Sequence, residues 1–261
     1  MEKLSVIKIG GNIVDNPAAL KQFLEDFSKL EGKKILVHGG GKIASEFSKK
    51  LGIEPKMHNG RRITDADSLD VVTMVYAGLI SKNIVADLQA LETNAIGLTG
   101  ADLNIIQSVK RPVDPIDFGF VGDVKKVNID QLGLLIDGGT VPILNSITHD
   151  KQGTLLNTNA DTIAAEVAIA ASEKYEVELI YCFEKNGVLT NPDDDDSWID
   201  ELSYNYYQQL LEKKIITAGM MPKLENCYNA LRKGVTQIKI IHAKNLNSGV
   251  EGQAVGTCIF L

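Results

Sequence analysis

Twice near its start, this chain runs a short apolar stretch straight into glycine. Val6-Ile7-Lys8-Ile9 leads to Gly10-Gly11, and Ile35-Leu36-Val37-His38 leads to Gly39-Gly40-Gly41. Runs of that length read as buried strands that stop where the glycines begin. Between them stands a helix signal: Asn16 as N-cap, Pro17 at the first helical position, then Leu20, Phe23, Leu24, Phe27 and Leu30 at helical spacing, stopped at Gly32. Ile43, Phe47 and Leu51 mark one face of a helix after the second cluster. A β-α-β-α opening implies parallel strands joined by a right-handed crossover. Ligands of such sheets bind beyond the carboxyl ends of the strands, where both glycine clusters fall. Gly10 and Gly11 let backbone N–H groups approach an anion without a Cβ in the way, and Lys8 adds a cation. The plainer reading is a tight turn with Lys8 on a solvated face.

The alternation continues along the chain. Thr64, with Asp67 three residues on, resembles a capping box. The spacing from about Ala66 to Leu91 predicts a long helix whose Leu69, Val72, Met74, Val75, Leu79, Ile80, Ile84 and Leu88 are too apolar for one solvated face, so a partner subunit is expected against it. Strands are expected at Ile96–Leu98, Val141–Leu144, Leu179–Tyr181 and Ile238–Ile241, with an edge strand at Thr257–Phe260. Helices are expected from Ile129 to Ile136, after Asp161, around Tyr207–Leu211 and after Pro222. The whole reads as a mostly parallel sheet sandwiched by helices, with a soft boundary near Lys174 to Glu178.

Bulk properties exclude several classes. A net charge of −7 without any Lys/Arg run argues against a nucleic-acid or anionic-membrane surface. The 3 cysteines, Cys182, Cys227 and Cys258, lack paired or metal-ligand spacing and read as reduced thiols of a cytosolic protein. No apolar run approaches the roughly 18 residues of a membrane span, and Glu2-Lys3 leads directly into a strand rather than an export signal. A dinucleotide fold needs G-x-G-x-x-G and a P-loop needs G-x-x-x-x-G-K-S/T; neither occurs.

Several polar residues have two readings. Lys223 follows Pro222 in the first turn of a helix, where the dipole disfavours a cation unless an anion is to be held there. It reads otherwise as a surface lysine. Asp161 is an ordinary first-turn acid or a partner that aims lysines. Asn157 and Asn159 are cap and turn residues, or they hold polar ligand groups. Arg62 is a solvated arginine, or it captures a carboxylate in bidentate fashion. None of the four histidines is assigned to catalysis, and His38 is expected to pack at its strand end. The run Asp193-Asp194-Asp195-Asp196 reads as a solvated loop.

Five segments, Lys8-Ile9-Gly10-Gly11, His38-Gly39-Gly40-Gly41, Asn59-Gly60-Arg61-Arg62-Ile63-Thr64, Asn157-Thr158-Asn159-Ala160-Asp161 and Gly219-Met220-Met221-Pro222-Lys223, stand in the order found in the amino-acid kinase family. The chain resembles that family over nearly its whole length, and most closely its members acting on N-acylated glutamate. The resemblance implies an α/β three-layer sandwich of carbamate kinase-like fold, with an acylglutamate-binding and dimerising lobe over residues 1–176 and a nucleotide lobe over 177–261. It implies transfer of the γ-phosphoryl group of ATP, with Mg²⁺ brought by the nucleotide, to a side-chain carboxylate in arginine synthesis. Lys8 and Lys223 would stabilise the transition state and Asp161 would orient both. Gly10, Gly11, Gly40 and Gly41 would line the transfer site, the last two also touching the amino acid. Arg62 would clamp its α-carboxylate, and Asn157 and Asn159 would hold its polar groups. The nucleotide would lie near Glu184, Lys185, Asn186, Gly187, Val188 and Leu189, and near Ile215, Ile216 and Thr217. There the chain departs from the family's Ser/Thr-Asp-Val, carrying Phe183-Glu184-Lys185. The acyl group is acetyl by default, with succinyl as the alternative, and a non-catalytic amino-acid sensor is the rival from another class. A cytosolic homodimer without nucleic-acid or membrane partners is expected.

Overall fold

The computed structural model describes residues 1–58, 61–216 and 219–261. Its centre is an eight-stranded sheet. From one edge the strands are Glu201–Ser203, Thr257–Phe260, Gln237–His242, Glu176–Phe183, Lys3–Ile9, Lys33–His38, Val141–Leu144 and Ala95–Leu98. Six run parallel; Thr257–Phe260 lies antiparallel to Gln237–His242 and parallel to Glu201–Ser203. Thr257–Phe260 is therefore not the edge strand expected from its sequence, because the short Glu201–Ser203 covers it.

Parity along the central strands decides which side chains meet. Successive residues of a strand point to opposite faces. Leu4 and Val6, with Ile35 and Val37, join one core, which is closed by helices Ile129–Asp137, Ala160–Ala171, Tyr204–Glu212 and Met221–Arg232. Ile7, Ile9 and Leu36 join the opposite core, under helices Pro17–Lys29, Gly41–Lys50 and the long helix that begins at Ala66. Burial on both faces explains why these strands read as continuous apolar runs. Lys8 has the parity of Val6 and so points towards the helices Ala160–Ala171 and Met221–Arg232.

The first helix is capped as its sequence requires, with Asn16 Oδ1 accepting from the N–H groups of Ala18 and Ala19. Lys34 closes its other end, donating to the carbonyls of Phe27, Ser28 and Leu30. Leu51, expected on the buried face of the next helix, is exposed at its C-cap. The cap of the long helix is Asp65, whose side chain accepts from Ser68 N–H, and not Thr64, which is buried. That helix runs through Ala66–Thr73, wide π-helical turns at Met74–Ile80, and Ser81–Ala90. By length and composition it is long and apolar enough to cross a membrane, contrary to the sequence reading. One side of it, with Val71, Val72, Val75, Ile80, Ile84 and Leu88, is buried in the second core, while Met74 and Leu79 are exposed. A four-stranded sheet (Leu155–Asn157, Ile147–His149, Ile106–Lys110 and Gly122–Val127) and a hairpin (Lys56–His58 with Arg61–Ile63) complete the described strands.

Candidate active site

The two glycine turns sit side by side at the carboxyl ends of neighbouring strands. Gly10 N–H donates to Cys182 O at 2.9 Å, and Gly11 opens the short helix Gly11–Val14. Gly41 opens Gly41–Lys50 in the same way. Each turn thus aims a helix N-terminus, with its free N–H groups, over the sheet edge.

Beside the first turn, Asp161 gathers both lysines. Lys8 Nζ lies 2.6 Å from Asp161 Oδ1, and Lys223 Nζ lies 3.7 Å from Oδ2. Three separate elements supply this trio: a central strand and the first turns of two helices. Burial pushes the Asp161 carboxyl upward, but the charges of Lys8 and Lys223 outweigh it and hold the group below the usual carboxylate range. Burial lowers the Lys223 ammonium, with Asp161 opposing. Tyr181, opposite Lys8 in the parallel register, donates its hydroxyl to Asp161 O at 3.0 Å. Phe183, two residues on and on the same face, stacks on Tyr181 with centroids 6.2 Å apart. Lys223 Nζ lies 3.4 Å and Lys8 Nζ 5.0 Å from the Phe183 ring centroid.

Beside the second turn stands Arg62. Its Nη2 donates to Gly41 O at 2.8 Å and to Ser45 Oγ at 2.6 Å, while Nη1 is buried without a protein partner. A buried guanidinium nitrogen left open in this way is an anion-binding donor. The Tyr76 hydroxyl lies next to it; burial raises the phenol and the Arg62 charge opposes that. Asn157 is buried and donates to Thr64 Oγ1 at 3.1 Å, joining the strand before Asp161 to the segment that carries Arg62. Asn159 caps its helix, its side-chain oxygen accepting from Asp161 and Thr162 N–H, so only its amide nitrogen is open to a ligand. His38 is fully buried, donating from Nδ1 to Gly39 O, and burial drops it to about 4. It packs as expected and is neutral at pH 7.

The proposed nucleotide segment divides. Glu184 is exposed and accepts from Asn12 Nδ2 at 2.7 Å. Lys185 pairs with Asp195, and Asn186 Nδ2 donates to Asp195 O, so the acidic run is an exposed loop, as expected, joined to this segment through Asp195. Val188 is turned into the core, its N–H donating to Thr257 Oγ1 and its C=O accepting from Ile199 N–H. A Cβ on Gly187 would lie 2.5 Å from Thr257 Oγ1. Gly187 and Val188 therefore shape this segment from within. Leu189 is partly exposed and bridges to Trp198. Ile216 is buried in the first core and Ile215 packs against it. Thr217 lies outside the described residues, as do Asn59 and Gly60. Among the described residues, no three His, Cys, Asp or Glu side chains converge to hold a metal.

Phe183, Tyr181, Asn12, Ser45 and Tyr76 were not singled out by sequence reasoning. The signal for Tyr181 and Phe183 is strand parity: both share the face of Lys8 once the two strands are paired in register.

Residues 3–242 match the family described as "Amino acid kinase family". The chain is 56% identical over 249 residues to the acetylglutamate kinase of Parabacteroides distasonis, spanning 95% of this chain and 98% of that one. Among solved structures it is similar to an N-acetylglutamate synthase from Neisseria gonorrhoeae complexed with coenzyme A and N-acetyl-glutamate, with TM-score 0.82 and 22% identity over 99% of this chain and 59% of that one. It is also similar to the carbamate kinase of Giardia lamblia bound to AMP-PNP, with TM-score 0.75 and 14% identity over 99% and 98%. The two structures share the fold; the sequence match covers the strand of Lys8, the helix of Asp161 and the helix of Lys223 alike. The chain belongs to the amino acid kinase family.

Proposed function

We propose that this enzyme transfers the γ-phosphoryl group of ATP to the side-chain carboxylate of N-acetyl-L-glutamate, giving the acyl phosphate and ADP in arginine synthesis. The observation that carries the reading is the carboxylate of Asp161 gathering the ammonium groups of Lys8 and Lys223 beside the first glycine turn. The identity to acetylglutamate kinases supports the choice of substrate.

The chemistry suits that arrangement. A carboxylate oxygen attacks the γ-phosphorus while the bond to the β,γ-bridging oxygen breaks and ADP leaves. The nucleophile is already ionised at pH 7, so no general base is required, and neutral His38 supplies none. The obstacle is repulsion between two anions and the charge spread over the group in flight. Fixed ammonium groups and backbone N–H donors aimed at that charge lower the barrier. Lys8 and Lys223 serve this role, with Gly10, Gly11, Gly40 and Gly41 lining the gap. Arg62 holds the α-carboxylate through its open Nη1, and Asn157 and the Asn159 amide hold further polar groups.

The nucleotide is assigned to the lobe of residues 177–261, where Glu184, Lys185, Asn186 and Leu189 remain accessible. The lobe of residues 1–176 holds the acylglutamate. Mg²⁺ brought by the nucleotide would neutralise phosphate charge; Asp161 is committed to two lysines, so the ion would need few direct protein ligands. A second copy of the chain is assigned to the long helix, on the side that carries exposed Met74 and Leu79. Incubation with ATP, Mg²⁺ and hydroxylamine tests the reading: an N-acetylglutamyl hydroxamate is expected. Product from N-succinylglutamate alone would correct the acyl group, and no hydroxamate from either would favour a sensor.

A further inference from the structure

We propose that Phe183 is a positioning residue for phosphoryl transfer, its ring fixing the Lys223 ammonium over the gap while Asp161 fixes Lys8. This rests on the kinase reading above. The two lysines are held unequally. Lys8 makes a close ion pair with Asp161 at 2.6 Å, but Lys223 stands 3.7 Å from the same carboxylate, beyond hydrogen-bond distance. What touches Lys223 closely is the face of Phe183, 3.4 Å from its Nζ to the ring centroid. A cation within about 6 Å of an aromatic face is drawn to it by the ring quadrupole. The ring attracts the whole charge without a single directed acceptor, so the ammonium keeps its N–H donors for phosphate oxygens.

The ring is itself held from several sides. Tyr181 stacks on it with an interplanar angle of 4°, and the same Tyr181 donates to Asp161 O. Gly10 admits it: a Cβ there would lie 2.8 Å from Phe183 Cδ1. The next residue, Glu184, is tied to Asn12 across the first turn. One stacked aromatic pair therefore connects the strand beside Lys8, the backbone carbonyl of Asp161 and the ammonium of Lys223. A purely space-filling Phe183 would require only bulk at this place; a platform requires the electron-rich face.

The test uses the full-length chain with Phe183→Leu, Phe183→Tyr and a series of ring-fluorinated phenylalanines at position 183. Fluorines drain the ring face with little change of shape. Phe183→Leu is expected to lower kcat about tenfold with KM for the amino acid within about twofold. Phe183→Tyr should keep wild-type kcat, and kcat should fall stepwise with added fluorines. Proton NMR of the Lys223 Hε resonances, assigned by their loss in Lys223→Arg, should show an upfield ring-current shift that disappears in Phe183→Leu. Full turnover in Phe183→Leu and across the fluorinated series would overturn the proposal. So would Lys223 Hε resonances at ordinary lysine positions, whatever the activity. A wild-type chain that shows the ring-current shift but phosphorylates no N-acylglutamate would overturn the kinase reading instead and leave the ring–ammonium contact standing.

Discussion

At the first glycine turn, Gly10 has ordinary extended backbone angles, φ −68° and ψ 156°; at the second, Gly40 has φ 155° and ψ 27°. Gly10 is glycine for a neighbour's sake, because the ring of Phe183 fills the space of its Cβ. Gly40 is glycine for its own backbone, and Ile80 Cδ1 also lies 2.2 Å from where its Cβ would be. The first turn lies beside the Lys8–Asp161–Lys223 trio, and the second beside Arg62, which donates to Gly41 O. Under the proposed reaction, two stretches that look alike as sequence serve opposite ends of the substrate.

The largest effect is expected on the lysine side. Lys8→Met or Lys223→Met should lower kcat by roughly 10²-fold or more with the unfolding midpoint little changed. Near-normal turnover in both variants would remove that side of the comparison. Next comes the backbone of the second turn. Gly40→Ala should lose about 3 kcal/mol of unfolding free energy in urea, from its φ and from overlap with Ile80. Gly10→Ala should lose about 1 kcal/mol or less and show instead in kcat, since it displaces a ring and strains no dihedral. Equal stability losses would erase the distinction between the turns. A tenfold effect on binding is expected at the other turn's arginine, where Arg62→Ala should raise KM for the N-acylglutamate about tenfold with kcat within about threefold. An unchanged KM would detach the arginine from the substrate carboxylate.

Much of the layout was legible from periodicity. The runs before Gly10 and Gly39 are parallel neighbours in the sheet, and the Asn16-Pro17 start and the helices after Asp161 and Pro222 stand where their signals put them. The trio Lys8, Asp161 and Lys223 was named from sequence, yet its unequal geometry was not. Nothing local to any of the three says that an aromatic ring lies between them. That follows from the pairing of Lys8 with Tyr181, a contact between strands far apart in the chain. The cap shifted from Thr64 to Asp65 because Thr64 is drawn inward to Asn157, again a long-range demand. That Val188, Ile215 and Ile216 pack in or against the first core was not legible for a related reason: an apolar residue near a ligand and one in a core look the same in a string of letters.

The π-helical turns at Met74–Ile80 carry a mechanical consequence. Tyr76 and Ile80 within them pack against Gly40, where an added Cβ would meet both side chains. Deleting one residue there would restore ordinary helical winding, leave the flanking turns close to where they stand, and move the side chains of the wide turns relative to Gly40. Ile80 would swing off the loop it braces, and the backbone that presents Gly41 to Arg62 would lose its backstop. The extra residue wound into these turns sets where Tyr76 and Ile80 meet Gly40, and so braces the backbone that Arg62 holds.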